Sequence, residues 1–320
     1  MDGVISAQYL NALFLGFNMK FQTMLEKTPT FWETFADEVP STTASQAYPW
    51  IDVLGDMRIW DGPREVLPLV VRSQIIENQT FEKTYAIKRT DIEDDQFAIY
   101  SSGVRMLAKS AKQWPDWLVQ SALSQGTTIV GYDNQPIFNN AHPLDPSNPT
   151  SATQSNLFNS STGTPSPLSA PAVAFGIQVQ ALMAAADGIP LDIISSHLIV
   201  PAALKWQAET IVNTALIAQA VAAAGASPGG AAAGSNVLQG ALRPQVFPRL
   251  DATDNQSWYL ICNTGDVKPI IYQRRIAPTF FYRIGEGDTP VFERDEYQYG
   301  ARARGMFGYG QYQLILKFGQ

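Results

Sequence analysis

Arg58-Ile59-Trp60-Asp61-Gly62-Pro63-Arg64 opens the stretch whose reading decides the fold, and that stretch runs on to Asp91-Ile92-Glu93-Asp94-Asp95. Asp-Gly-Pro between apolar runs is a turn signal, because glycine and proline accept the dihedrals that a tight reversal needs. Val66 to Ile76 reads as an extended run. Beyond it Phe81, Tyr85 and Ile87 fall on one face and Thr80, Glu82, Thr84 and Lys88 on the other, the two-residue period of a half-covered strand. The acids 91–95 then open a helix: Thr90 or Asp91 supplies a cap, and negative charge in the first turn complements the positive end of the helix dipole. A hairpin-like excursion of this length serves poorly to bury one compact core. It suits a chain that reaches over neighbouring copies.

With 320 residues, 45% of them apolar, the chain is long enough for one elaborate domain or two lobes. A net charge of −7 and a pI near 4.9 argue against a chain-wide attraction to phosphate. The charge is uneven: residues 241–320 carry ten Lys/Arg against eight Asp/Glu, which leaves −9 on the first 240. A single cysteine, Cys262, excludes an internal disulfide framework and fits a reducing compartment. Met1-Asp2-Gly3 lacks the basic start of a signal peptide, and the best apolar run, Ile211 to Ala226, is short and interrupted by Asn213, Thr214 and Gln219. The expectation is a soluble intracellular protein with no membrane partner.

Along the chain, Ser6 to Lys27 has the apolar spacing of an amphipathic helix, capped by Ser6 and carrying Leu10, Leu13, Phe14, Phe17, Phe21, Met24 and Leu25. Such a helix packs on its own core or docks on a partner, and the sequence leaves both open. Residues 30–49 form a polar, partly extended connector. The helix that the 91–95 acids open is expected to run to about Gln113, with Pro115 starting a second one that Gly126 ends. Residues 145–171 read as a long loop, Ala172 to Asp187 as a helix, Ile193 to Val200 as a buried strand, Pro201 to Ala224 as a helix and 225–234 as an Ala/Gly loop. The remainder is β-rich: Trp258–Asn263, Pro269–Arg275, Thr279–Ile284, Val291–Arg304 and Tyr309–Phe318, with Gly285-Glu286-Gly287-Asp288 turning a hairpin. Mixed elements without βαβ alternation make this an α+β chain.

No catalytic set emerges. His142, nine residues after Asp133 and three before Asp145, has loose spacing for a metal site and reads better as a turn histidine bonded to backbone. His197 follows Ser195-Ser196, but no nucleophile elbow is present, and strand neighbours such as Ser196 and His197 point to opposite faces. The 91–95 acids lack calcium-loop spacing. Cys262 sits in an apolar strand, and the glycines of 225–234 lack a phosphate-loop lysine. Aromatics around Arg302 and Arg304 could stack on single-stranded bases, but in an acidic chain glycine-bearing strand packing is the better reading. The expectation is assembly rather than catalysis, with no metal and no cofactor.

Several segments in order carry a resemblance: Trp60 to Arg64, Phe81 to Arg89, Asp91 to Asp95 before a long helix, Tyr132-Asp133 through Phe138, His142-Pro143, Leu198 to Pro201, Lys268-Pro269 with Gln273 to Arg275, and Tyr299 to Arg304. In order and spacing the chain resembles the Mu-like bacteriophage major head subunits, major capsid proteins of the HK97 fold. That resemblance implies an N-terminal arm over 1–50 and an extended loop over 51–90 that lies across an adjacent subunit. It implies a spine helix and peripheral domain over 91–164, joined by strands from about 271–305. An axial domain would cover 165–270 with a final strand in 306–320. It further implies hexamers and pentamers building an icosahedral shell around double-stranded DNA, with separate scaffold, protease and portal proteins and room for a decoration protein. Trp60, Arg64, Asp91, Glu93, Asp94, Asp95, Arg302 and Arg304 are the positions expected at subunit interfaces. Unlike those HK97-fold proteins that begin with a long cleaved scaffolding segment, this chain is expected to lack one before its first helix. No lysine–asparagine crosslinking pair is recognisable, so no covalent chain mail is expected. A tail-tube or decoration subunit is the alternative, and the long helix after Asp91 counts against it.

Overall fold

Leu10, Phe14, Phe17 and Phe21 recur on one stripe of the first helix, α1 (Ala7–Lys27), and Ser6 caps it by accepting a hydrogen bond from the Tyr9 amide at 3.2 Å. A computed structural model of the chain describes residues 6–51, 62, 71–94, 97–148, 150–163, 166–220, 231–263 and 267–319. The chain continues through β1 (Ala36–Pro40), β2 (Ser45–Ile51), β3 (Val71–Glu77), β4 (Gln79–Lys88), α2 (Arg89–Glu93), α3 (Phe97–Lys112) and α4 (Trp114–Gln125). Short strands β5 (His142–Pro143), β6 (Thr153–Gln154) and β7 (Leu157–Phe158) precede α5 (Ala170–Ala181), β8 (His197–Val200) and α6 (Lys205–Asn213). Then come β9 (Leu216–Ala220), β10 (Ala231–Ser235), β11 (Arg243–Val246), β12 (Trp258–Ile261), β13 (Ile270–Arg283), α7 (Thr289–Arg294), β14 (Glu296–Tyr309) and β15 (Ile315–Phe318).

Two sheets organise these elements. The first has the order β1-β13-β14-β4 and is built on the 14-residue strands β13 and β14. Tyr297, Tyr299 and Ala301 on one face of β14 meet Phe14, Phe17 and Phe21 of α1 and Val104, Leu107 and Ala108 of α3 in one buried cluster. The open question about α1 is thereby resolved toward its own core, with Phe14 5.3 Å from Tyr282 and Phe21 5.3 Å from Phe280 between ring centroids. The second sheet has the order β11-β8-β12-β15-β7. Alternate residues of its central strands feed two cores. Ile199, Tyr259, Ile261 and Ile315 join Trp114, Leu118 and Phe307, whereas Leu198, Val200, Leu260, Leu316 and Phe318 pack under α5 and α6. Because both faces are covered, these strands read as unbroken apolar runs. Gly176 lets α5 lie flat on that sheet: a Cβ there would meet Leu260 Cδ1 at 2.5 Å and Phe318 Cζ at 2.8 Å. Ile270, Tyr272, Phe307 and Tyr309 of the first sheet lie in the same cluster as Ile199 and Tyr259 of the second, so one core bridges both sheets.

Several expected elements differ. The two-stranded excursion pairs β2 with β3, from Ser45 opposite Glu77 to Ile51 opposite Val71, whereas β4 crosses to the free edge of β14. It therefore begins at Ser45, ahead of the expected 51, and closes at Asn78, whose side-chain amide donates to Ser41 Oγ at 3.0 Å and the Thr43 carbonyl at 2.9 Å. Thr90 and Asp91 are not caps but lie in the first turn of α2, with Lys88 at the cap position. The expected continuous helix is two: α2 stops at Asp94, the first of two successive aspartates, which are weak helix formers, and α3 resumes at Phe97. The expected helix 201–224 ends at Asn213, because the Asn236 side-chain amide captures the Ile211 and Thr214 carbonyls at 2.7 and 2.8 Å and the chain turns into β9. Ala231 to Ser235 of the Ala/Gly stretch are strand, paired with β9; 221–230 lie outside the described residues. The two strands expected between Pro269 and Ile284 are one, β13, with register shifts between Arg274 and Thr279. Its hairpin to β14 is closed by the expected turn plus α7, so β14 starts at Glu296 rather than Val291.

Candidate assembly surfaces

The β2–β3 hairpin is rooted on the first sheet by a buried amide. Gln273, on β13 and 0% exposed, donates from Nε2 to the Ile76 carbonyl at 3.3 Å and accepts from the Tyr48 hydroxyl at 2.8 Å. Burial raises the Tyr48 pKa to about 12, which keeps the hydroxyl a donor throughout the physiological range. Gln74 Oε1 accepts from the Tyr309 amide at 3.1 Å, and Ile76 lies over Gly308 of β14, where a Cβ would sit 2.1 Å from its Cδ1. Polar bonds fix the register of the root and the missing side chain at 308 fixes its closeness. Beyond Ile51 and Val71 the hairpin leads to residues 52–70. Trp60 and Arg64, the interface positions expected there, lie outside the described residues, as does Asp95.

The remaining expected positions separate into tied and free groups. Asp91 accepts a hydrogen bond from the Tyr100 hydroxyl, and that bond, with burial, raises the tyrosine pKa to about 12. Glu93 lies 3.4 Å from Arg89, which also reaches Asp295 at 3.8 Å and thereby ties α2 to the end of α7. Asp94 is exposed. Arg302 and Arg304 alternate on the β14 face opposite the helices, level with Glu82 and Thr80 of β4. Arg302 is exposed, while Arg304 is half-buried with its Nε unpartnered. The described members of the set thus fall on two surfaces, the α2 edge and the open face of β14.

The buried polar groups serve the fold. His142 is 0% exposed; its Nδ1 lies 2.6 Å from Asp133 Oδ2, its Nε2 3.2 Å from Asn156 Oδ1, and its ring stacks on Tyr312 at 3.7 Å. The Asn156 amide nitrogen faces the carbonyls of Ile137, Tyr312 and Ile315, which orients the side chain and staples the 133–156 loops to the approach of β15. The expected backbone partner of His142 is therefore replaced by two side chains; the sequence signal for Asp133 was its nearness, and none pointed to Asn156. Asp145 caps its own turn through Ser147. Among the described residues, no three His, Cys, Asp or Glu side chains group as metal ligands, and no helix is long and apolar enough to cross a membrane. Against the expected opposite orientation, Ser196 Oγ lies 2.9 Å from His197 Nδ1, because Ser196 precedes the strand; it also bonds the Ile261 carbonyl and the Asn263 amide, so it belongs to the strand end. Burial, and then Arg243, hold the His197 pKa below its ordinary value. Sequence reasoning missed Asp116, 0% exposed, whose Oδ1 takes the Phe31 and Trp32 amides at 2.8 Å each; burial pushes its carboxyl up against those bonds.

Residues 10–169 and 237–320 match the family described as Mu-like prophage major head subunit gpT. The chain belongs to that family. This Mu-like head subunit is 26% identical over 314 residues to the Mu-like prophage FluMu major head subunit of Haemophilus influenzae, covering 97% of this chain and 73% of that protein. It is 24% identical over 313 residues to the major capsid protein of Escherichia phage Mu, covering 98% and 74%. Among solved structures, the procapsid of bacteriophage JBD30 superposes with a TM-score of 0.59 at 27% identity over 99% of this chain and 76% of that one. The fold is that of HK97-like phage capsids, and the protein is a major head protein of the virion, in a structural rather than enzymatic family. The tail-tube and decoration alternatives fall away. The matched blocks leave the 170–236 stretch of this head subunit between them.

Proposed function

We propose that copies of this head subunit associate as hexamers and pentamers that close into an icosahedral shell around double-stranded DNA. The observation that carries this reading is the β2–β3 hairpin, rooted by Gln273 and Gly308 and continuing into residues 52–70. Extended elements laid over neighbours bury large area per subunit, which a closed shell needs. In this reading Trp60, Arg64 and Asp95 contact neighbouring subunits, Asp94 does so from the α2 edge, and Arg302 and Arg304 present a basic strip to an acidic neighbour. Asp91 and Glu93 position that edge through Tyr100 and Arg89. The subunit is made in the bacterial cytoplasm and assembles with separate scaffold, protease and portal proteins, with a decoration protein as a further partner. A net charge of −7 suits a wall that packaged DNA moves along without adhering.

The test is electron microscopy with mass photometry on the protein expressed alone and with its neighbouring phage genes. Closed polyhedral shells, or hexamers and pentamers feeding into them, are expected. Stacked tubes, or a discrete small oligomer under both conditions, would overturn the reading.

A further inference from the structure

The hydrogen bonds around His142 fix where its ring hydrogens are. On one side Nε2 faces Asn156 Oδ1 at 3.2 Å. That oxygen already accepts from the Asn139 amide at 2.9 Å, while Asn156 Nδ2 lies 2.6 Å from the Ile137 carbonyl and 3.3 Å from those of Tyr312 and Ile315. Exchanging the two ends of the side-chain amide would set an oxygen against three carbonyls. The atom facing Nε2 is therefore an acceptor, and Nε2 has to bring the hydrogen. On the other side Nδ1 lies 2.6 Å from Asp133 Oδ2, in a carboxyl whose Oδ1 accepts from the Gln135 amide at 3.1 Å. A neutral imidazole has one N–H, so either tautomer leaves a ring lone pair against an acceptor. The place is dry: the side chains of His142 and Asp133 are 0% and 2% exposed, and water cannot repair such a mismatch.

We infer that His142 is held in the fold as an imidazolium donating from both nitrogens, and that its second proton is a latch tying the loops after α4 to the approach of β15. The Asp133 carboxylate matches the charge, so the buried pair is neutral as a whole. Tyr312 lies on the ring at 3.7 Å with 5° between the planes, a face-on placement that suits a cation. Of the titratable groups around the ring, Asp133 faces it from the loop after α4 and Tyr312 from the turn before β15. The Tyr312 hydroxyl is taken by Gln154 Nε2 at 2.7 Å, and Asp145, three residues along from the ring, accepts from the Ser147 amide at 2.8 Å. Loss of the second proton would set the Nδ1 lone pair against the carboxylate. The contact thus supports the fold on the acid side of that titration and is lost on the alkaline side.

The test is a nitrogen–proton correlation spectrum of the imidazoles in the full-length, unassembled subunit, labelled with nitrogen-15 at histidine. The chain has two histidines, so His197→Gln assigns both signals. At pH 7.5 an ordinary histidine, titrating at about 6.5, is about nine-tenths neutral; both His142 nitrogens are nevertheless expected to resonate as protonated. Asp133→Asn keeps an oxygen for the Gln135 amide and puts an N–H donor opposite Nδ1, which then needs no hydrogen. Its Nδ1 signal is expected to move to the unprotonated range. Between pH 6 and pH 9 the urea midpoint should fall further in wild type than in Asp133→Asn, whose contact no longer depends on the second proton. A wild-type ring with one unprotonated nitrogen at pH 7.5, whether the proton is absent or held by Asp133, would overturn the inference by itself. So would an Asp133→Asn ring that stays doubly protonated, or equal alkaline declines in the two proteins.

Discussion

Replacing Gly308 by alanine tests how the hairpin is held to the sheet. The new Cβ would stand 2.1 Å from Ile76 Cδ1 and 2.6 Å from its Cγ1. Only the first is a chain end, and the β-branched isoleucine is stiff about χ1, so the root of β3 has to lift rather than one methyl swing aside. Overpacking of this kind costs about 1–3 kcal/mol, and removing a glycine from a strand returns about 0.5–1, for a net loss of about 1–2 kcal/mol. At this chain length that lowers the thermal midpoint by about 2–6 °C. Ile76→Ala alone, at a side chain 3% exposed, costs about 2–5 kcal/mol through the cavity it leaves. In that background the methyl introduced at position 308 keeps only an ordinary van der Waals contact, with Gln74 Oε1 at 3.6 Å, and fills part of the void, so Gly308→Ala becomes neutral or stabilising. The assay is a double-mutant cycle by urea denaturation of unassembled subunits, with an expected coupling of about 2 kcal/mol between residues in contact. Gly16→Ala, on α1 with open space around it, is the control and is expected to stabilise by about 0.5–1 kcal/mol. Equal costs for Gly308→Ala in both backgrounds would refute the reasoning.

Other perturbations follow from the same geometry. Burial raises the Asp116 carboxyl, so the folded state holds its proton longer than the unfolded one; stability falls as pH rises above the ordinary carboxylate value through the raised one. Asp116→Asn, which keeps an acceptor for Phe31 and Trp32, should remove that decline, and an unchanged difference in denaturation midpoint between pH 4 and pH 7 would contradict it. His197 has the opposite sense: held neutral by burial and Arg243, it favours folding above its ordinary pKa of about 6.5 and loses that contribution as pH falls through the lowered one, a loss that His197→Gln should abolish in the same titration. His142→Ala leaves Asp133 Oδ2 without its partner beside a buried hole, and the orphaned oxygen alone should cost about 1–3 kcal/mol by calorimetry. Charge reversal at Arg64 or Asp94 should reduce particle yield in sedimentation while leaving the subunit's midpoint in place; normal particles from both variants would remove those two positions from the interface.

The helix at 7–27, the α4 start at Pro115, the apolar strands at 198–200 and 258–261 and the turn at 285–288 were legible because each is set by neighbours in the chain. The failures share a cause. Whether β4 pairs with β3 or with β14 turns on a strand more than 200 residues away, and local alternation is the same in either case. Where α6 stops is decided by an asparagine 22 residues beyond Thr214. The eight expected interface positions show the same division: sequence order located them, but contacts assigned Asp91 and Glu93 to partners in the same subunit.

By itself the sequence determined that this is an α+β chain with an extended excursion before a helix, because apolar period and turn residues are local properties. The tertiary structure alone decided what roots that excursion, which strands share a sheet, and that His142, Asn156, Asp116 and Gln273 are buried staples. Buried polar side chains must find partners at whatever sequence distance the fold brings them, and that distance is not written in any local pattern.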